Sequence, residues 1–151
     1  MENLRIISSG VKYEFDTASL TLRADMFQTP VGYAKAHIDK WQKCVAIDTA
    51  VLPECRNQGI ASSLLETILE KVFVDGEMDE ACQKVGTGIE TNRVVLSIGL
   101  SNIPSRKIAT KMGFKEMEPD SHDSMEYSLT KEAYLNNRKK SQAKSPKTLG
   151  D

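Results

Sequence analysis

Ile47–Leu69, IDTAVLPECRNQGIASSLLETIL, is the stretch whose reading decides the fold. Apolar and small residues, interrupted by Asp48, run up to Val51, and a turn containing Pro53 follows. Arg56-Asn57-Gln58-Gly59 then leads into a segment where Ile60/Ala61, Leu64/Leu65, Ile68/Leu69 and Val72/Phe73 repeat every four residues. That repeat is the apolar stripe of an amphipathic helix. The implied order is strand, turn, helix. Gly59 and Ala61 carry almost no side chain, so the backbone N–H groups of the first helical turn are accessible, and those groups have no partner inside the helix. With the positive end of the helix dipole they suit an anion, most naturally a phosphate or pyrophosphate, and Arg56 adds a fixed positive charge. The plainer alternative is an ordinary β-turn-α connection in which Gly59 only permits tight packing.

The wider spacing bears on that choice. Val51-x-Pro53-Glu54-x-Arg56-x-x-Gly59-x-Ala61 resembles motif A of the GNAT superfamily of N-acetyltransferases, whose loop cradles the pyrophosphate of acetyl-coenzyme A. Downstream, Asn102-x-x-Ser105-x-x-Ile108 followed by Met112-Gly113-Phe114 resembles motif B of the same family, a helix opened by Asn and ended by Gly-Phe. The two motifs stand in the family's order, about forty residues apart, and the resemblance covers residues 31 to 129. It implies an α+β fold, a GNAT-like mixed, mostly antiparallel sheet with helices on both faces. In it Cys44–Val51 and Val94–Ile98 are a parallel pair splayed at one end. It also implies that Val51, Arg56, Asn57, Gln58, Gly59, Ile60, Ala61 and Ser62, with Asn102 and Ser105, contact the coenzyme. The implied activity is transfer of acetyl from acetyl-CoA, as co-substrate and without a metal, to a primary amine by direct attack. A coenzyme-binding module with little or no transferase activity is the alternative.

At 151 residues, 40% hydrophobic and 27% charged, the chain is long enough to bury a core without staples. We expect a single acyl-CoA N-acyltransferase-like domain over 1–130, followed by a C-terminal helix and a basic, disordered tail over 131–151. Residues 131 to 151 hold six basic and two acidic residues, a net +4, so the preceding part carries −5 of the overall −1. An acidic body suits a cationic acceptor. The tail reads as solvated, and nucleic acid is not the expected partner, because aromatics are not interleaved with the basic residues beyond Tyr134. No apolar run reaches the length of a membrane span and the start does not read as a signal peptide, so a cytoplasmic location and no membrane partner are expected. Cys44, Cys55 and Cys82 are odd in number and lack Cys-x-x-Cys or Cys/His spacing, which points to free thiols. The expected partner is a small-molecule or protein amine, and a homodimer is compatible with the sequence.

Elsewhere, Val11–Phe15 and Leu20–Met26 alternate and read as a hairpin. Pro30 is expected to break the next segment, Val31–Ile38 to resume as a strand, and short connections to make these neighbours antiparallel. The hairpin turn leaves no room for the helices that the family usually carries between its first two strands. Glu77–Lys84 reads as a second helical segment and 86–91 as a loop. Pro104–Met112 reads as a helix capped by Ser101 or Asn102 and stopped at Gly113. Lys115–Glu118 and Ser124–Leu129 read as the last strands, around a loop holding Pro119 and His122.

An amine attacking a thioester must lose a proton, and charge on the carbonyl oxygen must be stabilised. A backbone N–H around Thr49–Val51 serves the second need. Asp48 is the candidate base: among Cys44, Ala46 and Ala50 its carboxylate would lose solvation and its pKa would rise. The competing reading pairs Asp48 with Arg23 or a lysine on a neighbouring strand. His37 has a suitable intrinsic pKa but reads as a surface histidine near a strand end. The Tyr that the family places seven residues after its motif B Asn falls at Ala109, which cannot act as an acid. Either a hydroxyl at Ser105 or Tyr127 substitutes, or the thiolate leaves unaided, since thiols ionise at about pH 8.5. Asn102 has two compatible roles, touching the cofactor or its water and capping the helix.

Overall fold

Asn3–Ile6 (β1), Val11–Asp16 (β2), Thr21–Met26 (β3), Thr29–Asp39 (β4) and Cys44–Val51 (β5) follow one another as antiparallel neighbours. Period-2 alternation sorts their side chains. Val11, Tyr13, Phe15, Leu22, Ala24, Ala34, Ala36, Val45 and Ile47 are buried. Lys12, Arg23, Tyr33, Lys35 and Asp48, on the opposite face, are exposed. The buried face is covered by the helix Ile60–Phe73 (α1), which lies against β3, β4 and β5. Its stripe of Ile60, Leu64, Leu65, Ile68, Leu69, Val72 and Phe73 is buried as the four-residue repeat requires. Each such side chain contributes about 1.5–3 kcal/mol. Gly32 makes the close approach possible: a Cβ there would stand 2.8 Å from the Ala50 carbonyl oxygen and 3.2 Å from Leu64 Cδ1.

The computed structural model describes residues 3–6, 10–86, 88–89 and 91–149, and its contacts divide it into residues 1–91 and 92–151. The first unit ends with Asp79–Val85 (α2), inside the helical segment expected over 77–84 and one residue beyond it. Of the loop expected over 86–91, residues 87 and 90 lie outside the described residues.

In the second unit, Arg93–Gly99 (β6) pairs antiparallel with Ser124–Thr130 (β8), and β8 pairs with Lys115–Ser121 (β7). Ile103–Lys111 (α3) runs from the end of β6 towards β7, and Lys131–Leu149 (α4) follows β8. Asn102 is the N-cap of α3, its Oδ1 accepting from the Ser105 N–H at 3.3 Å, and Gly113 ends the turn at φ 100°. Val94, Leu96, Ala109, Phe114, Tyr127 and Leu129 form the buried interior of this unit.

Three expectations change. Pro30 does not break a strand: β4 starts at Thr29 and runs through Pro30, opposite Asp25. A register shift between Ala24 and Asp25 and the position at the strand's start absorb the missing N–H. Pro119 lies within β7 rather than in a loop, opposite Met125, with register shifts on both sides of it. β1 has no counterpart in the sequence reading, since four residues offer too short a pattern. The β2–β3 connection is confined to the turn 17–20, so the first two helices usual in such folds are absent from that place.

Candidate active site

The site begins where β5 gives way to α1. Pro53–Cys55 makes one 3₁₀ turn, the Arg56 Nε donates to the Val51 carbonyl at 3.3 Å, and the chain reverses through Asn57 (φ 65°) and Gly59 (φ 81°). The first helical hydrogen bond runs from Ser63 N–H to Gly59 C=O at 3.0 Å, and no side chain caps the helix. The N–H groups of Ile60, Ala61 and Ser62 are therefore unspent within the helix. Nothing lies within 4 Å of where a Gly59 Cβ would stand. The loop is a row of backbone donors facing open space, with Arg56, Asn57 and Gln58 exposed around it. Its left-handed glycine is a backbone requirement, because a β-carbon in that region costs about 1–2 kcal/mol.

The end of β5 selects among the backbone donors expected between Thr49 and Val51. Leu52 N–H donates to Val31 C=O at 2.9 Å, so Gly32 and Val51 form a non-hydrogen-bonded pair and Tyr33 and Ala50 the bonded one. The Ala50 N–H is consequently turned towards β4. Those of Thr49 and Val51 point the other way.

Against the same strand end lies a cleft of about 800 Å³ on the face of the sheet opposite α1. Its floor is one cross-strand row: Ala50 faces Tyr33, Tyr33 faces Arg23, and Arg23 faces Glu14. Val51 and Leu52 close the near end. Arg23 Nη2 donates to Glu14 at 3.2 Å and its Nε to Asp25 at 3.0 Å. Asp16 stands at the far rim, accepting from the Ser19 hydroxyl and the Ala18 N–H, which hold its carboxyl below the usual aspartate range. No spacing in the sequence announces this row, because only the register of four strands assembles it. The alternation of Glu14 and Arg23 between buried neighbours was the available signal.

Asp48 is not desolvated. Its side chain is 67% exposed, on the uncovered face, and its Oδ2 lies 3.0 Å from His37 Nε2. The buried carboxylate expected from Cys44, Ala46 and Ala50 does not form: burial on that face reaches Cys44 and fades along the strand, Ala46 being half-buried and Asp48 and Ala50 exposed. The alternative partner proves to be His37, one strand away, rather than Arg23 or a lysine. Asp48 is not among the residues lining the cleft, although Ala50, two residues on and on the same face, is.

In the second unit, Asn102 is exposed and engaged as the cap of α3, and Ser105 supplies the capped N–H. Ala109 is fully buried. Tyr127 is buried too, its hydroxyl accepting from Arg106 Nε at 2.9 Å and donating to Glu116 Oε2 at 3.1 Å. Arg106 also donates to Glu116 at 2.9 Å and to the Leu100 carbonyl at 3.0 Å, tying α3 to β7, β8 and the turn before Asn102. The Arg106 and Tyr127 hydrogen bonds hold the Glu116 carboxyl below its usual range. Tyr127 thus has its proton committed to a carboxylate. Cys44, Cys55 and Cys82 are buried, burial and the nearby Asp79 pushing the Cys82 thiol up. Among the described residues no group of His, Cys, Asp and Glu could hold a metal, and no helix is long and apolar enough to cross a membrane.

This geometry coincides with a known family. The family model described as "Acetyltransferase (GNAT) family" matches residues 8–114, and the chain belongs to that family. Solved structures agree at the level of fold. A GNAT-family acetyltransferase from Bacillus anthracis superposes with a TM-score of 0.58 at 16% identity, over 78% of this chain and 69% of that one. The spermidine/spermine N-acetyltransferase SpeG from Vibrio cholerae gives 0.55 at 14% identity, over 78% and 69%. yncA, a putative acetyltransferase from Salmonella typhimurium solved with acetyl-CoA, gives 0.52 at 18% identity, over 73% of this chain and 63% of that one. The chain thus spans less than two thirds of the length of the last of these neighbours. No curated protein matches it. The α+β, GNAT-like fold class read from the two motifs is the one found.

Proposed function

We propose that this chain transfers the acetyl group of acetyl-coenzyme A to a primary amine by direct attack. The observation that carries this is the uncapped start of α1 directly after the β5 end. Ile60, Ala61 and Ser62 N–H groups, with Arg56, would hold the pyrophosphate, and Asn57, Gln58 and Gly59 would let it approach. Bound there, acetyl-CoA supplies an activated acetyl thioester. The Val51 N–H, turned away from β4, is then the donor for charge that develops on the acetyl oxygen. The acceptor amine enters along the cleft that ends at Ala50 and Val51. Its proton passes through water to Asp48, which His37 orients. An exposed base is worth little, so Asp48→Asn should lower kcat by about tenfold, below the usual span for positioned bases, with coenzyme binding unchanged. Asn102 holds the first turn of α3 by accepting from the Ser105 N–H.

Calorimetry with acetyl-CoA tests this directly. Micromolar binding that disappears in the Arg56→Glu, Gly59→Asp variant is the expected result, and no binding by the unaltered protein would refute the reading. The buried Ala109 and the committed Tyr127 hydroxyl favour one second reading, a coenzyme-binding module without transferase activity. Free thiol release with any member of an amine panel decides against it.

A further inference from the structure

A second row of side chains runs beside the floor of the cleft. Lys35 faces Asp48 on β5 and Thr21 on β3, and Thr21 faces Asp16 on β2. Tyr33 and Ala50, which face each other, stand two residues from Lys35 and Asp48 along their strands, so all four share one face of the sheet. Lys35 and Ala50 are therefore diagonal neighbours, about 7–8 Å apart. A lysine carries its ammonium on a flexible four-carbon stem, long enough to cross that interval. The Lys35 side chain is exposed.

Its charge is not engaged. Asp48, directly across the ladder, is taken by His37, whose Nε2 lies 3.0 Å from Asp48 Oδ2. Among the described residues no carboxylate forms an ion pair with Lys35. The other lysines of the first unit are placed differently. Lys12 shares the face but stands on β2, three strand spacings or about 14 Å from β5. Lys40 and Lys43 lie in the turn between β4 and β5, at the end away from Ala50. Lys71 and Lys84 belong to α1 and α2, where Asp75 and Glu80 hold them. Lys35 is the amine that the register brings to the Val51 end.

We propose that Lys35 is itself an acetyl acceptor, modified within its own chain by acetyl-coenzyme A held at the start of α1. This rests on the acyltransferase reading. The ammonium gives one proton to Asp48, which passes it to water. The nitrogen lone pair then bonds to the thioester carbonyl carbon, whose oxygen meets the Val51 N–H, and the carbon–sulfur bond breaks. A second proton leaves the nitrogen and ends on the coenzyme sulfur. The products are an amide and a free thiol, with no change of oxidation state. Each chain does this once, and the row loses its unpaired cation.

The full chain is incubated with saturating acetyl-CoA, and acetylation at each lysine is followed by peptide mass spectrometry. Lys35 should be modified about a hundredfold faster than the exposed Lys40, a small part of what proximity can supply. Its rate should not change with protein concentration. The Arg56→Glu, Gly59→Asp variant should lose the preference and leave Lys40 unchanged. So should an excess of free coenzyme A, which fills the same cradle and needs no substitution. Equal rates at the two lysines, a Lys35 rate that rises with protein concentration, or a preference that survives free coenzyme A would overturn the proposal. Coenzyme binding and thiol release with the amine panel are measured on the same samples. If the coenzyme binds and an amine is turned over while Lys35 stays unmodified, the self-modification falls alone. If the unaltered protein does not bind the coenzyme, the acyltransferase reading falls with it.

Discussion

The two helices that carry the family motifs begin in opposite ways. α1 starts at Gly59 with no side chain on its first N–H groups, whereas α3 starts at Asn102 with its own side chain on Ser105 N–H, and Arg106 clamps the preceding turn through Leu100. A helix end that the chain caps itself is a structural solution. One left bare, with open space above it, leaves its donors for a ligand. On this view motif A binds and motif B positions.

The contrast can be broken by substitution, and the largest effect belongs to the bare end. Gly59→Val forces a β-branched residue to φ 81° and puts methyl groups where the ligand must approach, and should weaken acetyl-CoA binding by about 100-fold. A change of less than threefold in calorimetry would mean that the loop is not the cradle. Next comes Ala109→Tyr, which restores the family's residue at a fully buried position. Overpacking should cost about 1–3 kcal/mol in a denaturant titration, without a gain in turnover. If turnover rises instead, α3 has room for an acid and is more than a positioning element. Asn102→Ala removes a cap and should cost about 1 kcal/mol. Should it reduce coenzyme affinity more than stability, the division between the two helices is wrong.

The smallest effect is pH-dependent. Glu116 is held below its ordinary range by hydrogen bonds from Arg106 and then Tyr127. A carboxyl depressed in the folded state stabilises it above the unfolded value of about 4.3, and that contribution is lost as pH falls through the folded value. Wild type should melt a few degrees above Glu116→Gln at neutral pH. The gap should shrink below about pH 4, and a gap that persists there would place the interaction elsewhere.

Sequence served best where the information is local. The four-residue repeat from Ile60 to Phe73, the cap at Asn102 and the stop at Gly113 each depend on neighbours within a few positions, and each is found where it was expected. Pro30 and Pro119 misled because a proline's effect depends on whether its strand is starting, bulged or at an edge, which only pairing reveals. Asp48 misled for a related reason. Its apolar neighbours along the strand say nothing about whether their face stays buried as far as Asp48, and it does not. The Arg106–Tyr127–Glu116 network and the row from Ala50 to Glu14 join residues distant in sequence, and no spacing rule announces them.

If the bare start of α1 holds the coenzyme as proposed, it would also couple this protein's survival to metabolism. A ligand that binds only the native chain raises its stability by RT ln(1 + [L]/Kd), about 2.7 kcal/mol at a hundredfold excess over Kd. The unfolded fraction then falls by about a hundredfold, and with it the supply of chain that a protease can cut. Starved of coenzyme, the protein should turn over faster; its abundance would follow the acetyl donor pool without any dedicated regulator.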